Sequence, residues 1–134
     1  MKILITGAAG FIGSSLAEYM VRAHHEVYGI DCINSYYDKS LKEYNISGLL
    51  EKPNFHFRRQ DLTTVKPEEI RDAEIVFHLA GQPGVRNSWG GNFGEYVRNN
   101  IEATQVLLEC LKRSRSLKRL IYASTSSVYG NENE

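Results

Sequence analysis

The sequence predicts an α/β fold, a parallel sheet covered by helices on both faces, and three observations carry that prediction. Short apolar runs alternate with longer amphipathic segments along the chain. The first run leads straight into a glycine-rich turn, Thr6-Gly7-Ala8-Ala9-Gly10-Phe11-Ile12-Gly13. The second run closes on an acid, Asp31. Alternation of this kind implies right-handed crossovers and the doubly wound strand order 3-2-1-4-5, with ligand lying across the carboxyl ends where the order reverses.

The elements follow in order. Lys2 to Thr6 is a short apolar run suited to a buried parallel strand. Phe11, Ile12, Ser15, Leu16, Tyr19, Met20 and Ala23 then repeat at helical spacing. Glu26 to Ile30 reads as the second strand, ending at Asp31, and a polar, tyrosine-rich segment leads to a helix from Asp38 to Leu50. Phe55 to Phe57 is the third strand, entered after Pro53-Asn54, and Ile75 to Leu79 is the fourth. A glycine-rich loop from Gly81 to Gly91 precedes a long helix from Phe93 to Arg113. The expected buried stripe of that helix is Phe93, Tyr96, Val97, Asn100, Ile101, Thr104, Leu108 and Leu111. Arg119 to Ala123 is the fifth strand. A complete sheet of this order adds a sixth. The sheet formed by residues 1–134 is therefore expected to be incomplete.

Composition narrows the class. Apolar residues make up 42% of the 134 and charged residues 24%, which suits a globular domain with a real core. Sixteen basic residues balance sixteen acidic ones, so no broad positive surface for nucleic acid or an acidic membrane is expected. The apolar start stops at Thr6-Gly7 and does not read as a secretory leader. Cys32 and Cys110 lie far apart, as two free thiols of a cytoplasmic protein would. The four histidines lack partners at ligand spacing, so no metal site is expected.

The turn after the first strand has a specific physical use. Glycines permit positive φ and leave no side chain between backbone and a diphosphate, while the helix that begins there offers free N–H groups and its positive dipole end. Gly13 also lets that helix pack close to the sheet. Asp31, at the end of the second strand, can accept hydrogen bonds from the ribose hydroxyls of an adenosine and repel a 2′-phosphate. The pair predicts NAD rather than NADP. Asp61 and Leu62, past the third strand, are candidates for an adenine amino group and ring, although Asp61 also has the form of a turn cap.

With these residues placed, the chain resembles the extended short-chain dehydrogenase/reductase superfamily, and within it the NAD-dependent sugar-nucleotide epimerases and dehydratases. The turn matches that family's TGxxGFIG form. His78-Leu79-Ala80-Gly81 resembles its HLAG segment, Asn100 falls at its helix asparagine, and Ser124-Thr125-Ser126-Ser127-Val128-Tyr129-Gly130 is similar to its SSxxVYG segment. Two further stretches, Gly29 to Lys42 and Gly81-Gln82-Pro83-Gly84-Val85-Arg86, look like UDP-glucuronate 4-epimerases. The resemblance implies a Rossmann-type fold and a cofactor site built from Gly7, Gly10, Phe11, Ile12, Gly13, Asp31, Asn34, Ser35, Asp61, Leu62, Leu79, Ala80, Gly81 and Asn100. It implies a sugar O4 contact from Thr125, with Ser127 as a second hydroxyl, and a substrate role for Arg86; from the residues alone, Thr125 and Ser127 can equally satisfy backbone groups at a strand end, and Arg86 can equally be a solvated loop arginine. The absence of an acid at Ser126 and Ser127 favours epimerisation over dehydration. The implied reaction is transient oxidation of a nucleotide sugar at C4 by bound NAD, then reduction from the other face.

The family's base is a tyrosine followed four residues later by a lysine. No lysine of this sequence has a tyrosine four positions before it. The isolated chain is thus expected to be inactive as an epimerase, and either to form a homo-oligomer or to associate with a missing C-terminal half. The alternative is a non-catalytic module that binds NAD or a partner.

Overall fold

The computed structural model describes residues 1–130. It contains one parallel sheet of β1 (Lys2–Thr6), β2 (Glu26–Asp31), β3 (Phe55–Arg59), β4 (Ile75–His78) and β5 (Arg119–Tyr122), in the order β3-β2-β1-β4-β5. Every pairing is parallel. The register sets Thr6 opposite both Ile30 and His78, so the carboxyl ends of the three central strands finish at one edge. The expected order is the one observed.

The five strands leave two faces to cover, and two apolar clusters cover them. On one face α1 (Phe11–Arg22) and α2 (Lys39–Leu50) pack over Ile3, Ile5, Val27 and Phe55. On the other, α3 (Pro67–Ile70) and α5 (Ala103–Leu111) pack over Leu4, Ile30 and Val76. The central strand β1 reads as a continuous apolar run because both of its faces are buried, whereas the edge strands β3 and β5 are largely part-buried or exposed.

Two helical faces differ from expectation. On α1 the buried residues are Gly13, Ser14, Ala17 and Val21, while Phe11, Ile12 and Tyr19 are exposed. The helix sits too close to the sheet for large side chains, so small residues face inward. The long segment after the loop is not one helix either. It runs as α4 (Phe93–Tyr96), a π-wound segment Val97–Glu102, and α5. A period of 3.6 carried through i→i+5 winding loses its phase. Past it, Ala103, Leu107, Cys110 and Leu111 are buried, whereas Phe93, Ile101 and Leu108 face outward. Sequence reading also passed over the 3₁₀ turn Leu62–Thr64 and α3, which are too short to show a period.

Candidate cofactor site

Two close approaches shape the edge where β1, β2 and β4 end. Gly7 has φ +73° and donates its N–H to Ile30 O at 2.8 Å. A Cβ there would meet Ala80 N at 2.8 Å, so the first turn lies against the backbone that follows β4. A Cβ on Gly13 would sit 2.1 Å from the Gly7 carbonyl oxygen, which no side chain tolerates. These contacts hold the start of α1 over the sheet edge. Gly10 is its N-cap, with no side-chain cap, and the first turn carries no acid. The orphan N–H groups and positive dipole end of α1 are thus left unneutralised by the protein.

Asp31 is buried beside this turn. Its Oδ2 accepts from the Ala9 N–H at 3.1 Å and its Oδ1 from the Ile33 N–H at 2.7 Å. The second bond closes a tight turn that places Ile33 at φ +48°, an unusual conformation for a β-branched residue. Lys42 Nζ, also buried, stands 3.7 Å from Asp31 Oδ1. It donates to Asn34 Oδ1 at 2.9 Å and lies 5.0 Å from the centre of the Tyr37 ring. Burial, followed by the nearby Asp31 charge, raises the Tyr37 phenol above its ordinary value of 10.0. From the other side, α2 braces the turn through Asn45 Nδ2, which donates to Ala9 O at 3.0 Å.

The floor is fixed by a buried histidine. Thr104 Oγ1 donates to Asn100 O at 2.9 Å, so it accepts from His78 Nε2–H at 2.9 Å. Nδ1 is then the acceptor for the Thr6 hydroxyl at 2.7 Å, and Thr6 Oγ1 in turn accepts the Ala80 N–H at 3.3 Å. This chain ties β1, β4 and α5 together at the edge where the glycine turn begins. Burial depresses the His78 pKa below 6.5, which favours the neutral ring the network requires.

A cavity of about 430 Å³ opens above this floor, within the usual range for a small-molecule site. It is lined by Gly7, Gly10, Phe11, Ile12, Gly13 and Asp31 from the first half of the expected cofactor set. Asn34, Asp61, Leu62, Leu79, Ala80 and Gly81 complete its wall from that set. The remaining expected residues lie elsewhere. Ser35 is exposed at a bend, outside the wall. Asn100 sits behind it: Oδ1 accepts from Gln82 N at 2.6 Å and Nδ2 donates to Gln82 O at 3.1 Å, so its amide holds the loop while Asn99 faces the cavity. Arg86 is exposed on the loop. Thr125 and Ser127 are exposed at the carboxyl end of β5, where Thr125 caps the 3₁₀ turn Ser126–Tyr129 by accepting from Ser127 N at 3.3 Å. The wall on that side ends at Ala123.

Asp61 has the capping geometry that was its alternative. Oδ1 accepts from Thr63 N at 2.9 Å and Oδ2 from Arg98 at 2.8 Å. Burial acts to raise its pKa, but the Thr63 N–H and hydroxyl and the Arg98 charge outweigh it, and the carboxyl stays below 3.8.

A family model described as the NAD dependent epimerase/dehydratase family matches residues 3–134. The chain belongs to that family. It is 45% identical over 134 residues to an uncharacterised UDP-glucose epimerase of Bacillus subtilis, covering 98% of this chain and 42% of that protein. It is 38% identical to a UDP-glucuronate 4-epimerase of Thermodesulfobacterium geofontis, covering 96% of this chain and 41% of that one. Among solved structures it superposes with TM-score 0.93 and 44% identity on a Bacillus cereus UDP-glucuronic acid 4-epimerase in complex with UDP-glucuronic acid and NAD, covering 100% of this chain and 43% of that one. The chain thus spans about two fifths of the length of the relatives it matches.

Within this epimerase-family chain the structure adds wall residues that sequence reasoning missed, namely Lys42, Tyr36, Tyr37, Gln82 and Asn99. Gln82 Oε1 accepts from Asn99 Nδ2 at 3.3 Å and lies 3.5 Å from Asn34 Nδ2. That linkage joins the loop after β2 to the π-wound segment. Tyr36, Tyr37 and Lys42 lay in the stretch from Gly29 to Lys42, and Gln82 in the loop from Gly81 to Arg86, that carried the resemblance, but none of them was assigned to the cofactor site. Among the described residues no three His, Cys, Asp or Glu groups could hold a metal, and no helix is long and apolar enough to cross a membrane.

Proposed function

We propose that this chain is the NAD-binding portion of a nucleotide-sugar 4-epimerase acting on a UDP-glucuronate or UDP-glucose type of substrate. One observation carries the reading. The unneutralised start of α1, held down by Gly7 and Gly13, and the buried carboxylate of Asp31 line the same cavity. A diphosphate at the first and a ribose at the second is the arrangement that fits both. NAD, when bound, supplies the reversible oxidation at the sugar C4.

The residues of this chain bind and orient. The N–H groups of Phe11, Ile12 and Gly13 take the diphosphate, Asp31 takes the adenosine ribose, and Asp61 with Leu62 borders the adenine. Leu79, Ala80 and Gly81 face the nicotinamide half, with Asn100 supporting them by holding Gln82. Thr125 and Ser127 stand at the sheet edge where the sugar O4 would lie, and Arg86 on the neighbouring loop would meet a substrate carboxylate. The polypeptide of residues 1–134 contains no Tyr-x-x-x-Lys pair. A missing general base removes about 10²–10⁴-fold of rate, so this polypeptide alone does not turn over UDP-sugars. It works in the cytoplasm, either as a homo-oligomer or with a complementary C-terminal half.

The test is to purify the polypeptide, extract it for bound nucleotide, and assay it with UDP-glucuronic acid and UDP-glucose. NAD retained or bound at one per chain, without turnover, supports the reading. Robust turnover refutes the inactivity, and no affinity for NAD refutes the whole.

A further inference from the structure

Lysine is almost never buried unless paired, and Lys42 is buried in the cavity wall. Its ammonium has three N–H donors. Asn34 Oδ1 takes one at 2.9 Å, and Asp31 Oδ1, at 3.7 Å, is at ion-pair rather than hydrogen-bond distance. Donor capacity therefore remains on a residue that lines the cavity. Asp31 shows the complementary condition. Each of its oxygens accepts one backbone N–H and keeps further acceptor capacity. A carboxylate with spare lone pairs beside an ammonium with a spare donor fits a vicinal diol, whose hydroxyls both donate and accept.

We propose that Lys42 is the second half of the ribose clamp, donating to a hydroxyl of the adenosine ribose while its charge limits how strongly Asp31 excludes a 2′-phosphate. This rests on the NAD reading of the cavity. The acid alone would put a bare negative charge beside the 2′ position. With the ammonium 3.7 Å away, that position faces a nearly neutral pair. Lys42 is thus a specificity-determining residue, and removing it sharpens the preference for NAD over NADP.

Calorimetric titration with NAD and NADP, backed by thermal melting of every variant, tests this. The decisive comparison is Asp31→Asn against the double variant Asp31→Asn/Lys42→Met, because both lack the carboxylate and differ only in the lysine, and the melting of Asp31→Asn reads the cost of leaving the Lys42 ammonium without its counter-charge. With the acid neutral, the lysine pulls on a 2′-phosphate unopposed. Asp31→Asn should bind NADP at least about tenfold tighter than the double variant does, as expected of a charge-assisted contact. NAD should differ between them only about two- to fivefold, as for a hydrogen bond to a neutral hydroxyl. In the unaltered background, Lys42→Gln should raise the ratio of the NADP Kd to the NAD Kd about tenfold. A lysine that serves only the fold would shift both nucleotides equally, and an unchanged ratio across these variants overturns the proposal. Failure of the unaltered chain to bind either nucleotide overturns the cofactor reading beneath it instead.

Discussion

At the scale of single residues, the site depends on atoms that have no room to move. A Cβ on Gly13 would meet the Gly7 carbonyl oxygen at 2.1 Å. Gly13→Ala is therefore expected to lower the melting temperature and to weaken NAD binding by tenfold or more, read by melting and titration. Asn100→Ala strips both partners from the Gln82 peptide and should cost about 1–3 kcal/mol in denaturant unfolding. His78 gives a pH test. Its native pKa is depressed, so below its ordinary 6.5 the unfolded chain binds more protons and stability drains as pH falls. The acids held low, such as Asp61 and Glu74, act in the same direction only below about their ordinary 3.8 and 4.5. A loss of stability that begins as pH falls below 6.5, above the carboxylate range, and disappears in His78→Phe would assign the upper limb to the histidine. Asp31 was legible as a cavity residue, because a strand that ends beside a glycine turn brings its last side chain to the same sheet edge, although a cap or loop role was the other reading of that acid. Lys42 was not, since a lysine on an amphipathic helix reads as solvated until the fold buries it.

Among the elements, the central strands were legible almost to the residue, because their faces are buried and their apolar runs are continuous, while the more exposed edge strand β3 runs two residues past its expected end, to Arg59. Of the helices, α1 and α2 formed where expected, but the buried face of α1 did not follow from hydrophobicity. On α1 the close approach dictated by Gly13 selects Ala17 and Val21 over Phe11 and Tyr19. Beyond α4 the π-wound segment breaks the period, and hydrophobic periodicity does not mark such winding. Ile101 within that segment and Leu108 past it are left exposed as large apolar side chains, and Phe93, at the start of α4, is exposed beside them in sequence. That surface has a measurable consequence. Ile101→Lys/Leu108→Lys should reduce concentration-dependent self-association in sedimentation experiments while leaving the melting temperature within a few degrees. An unchanged sedimentation profile in a self-associating chain would place the contact elsewhere.

For the whole molecule, the strand order reverses between β1 and β4, and the cavity stands at the carboxyl ends of the strands there, where a doubly wound sheet binds its ligand. The expected cofactor residues divided along a physical line. Those tied to strand ends and the glycine turn line the cavity, whereas Asn100 supports it from behind and Thr125 stands beyond its rim, because helix winding and loop paths set those positions. The central claim is that the mouth of α1 grips a diphosphate. Its most direct test is the amide spectrum of the isotope-labelled chain titrated with NAD. The account predicts saturable, one-to-one shifts led by Gly7, Phe11, Ile12 and Gly13, with Asp31 and Ala80 following. A titration that leaves those amides unmoved would contradict it.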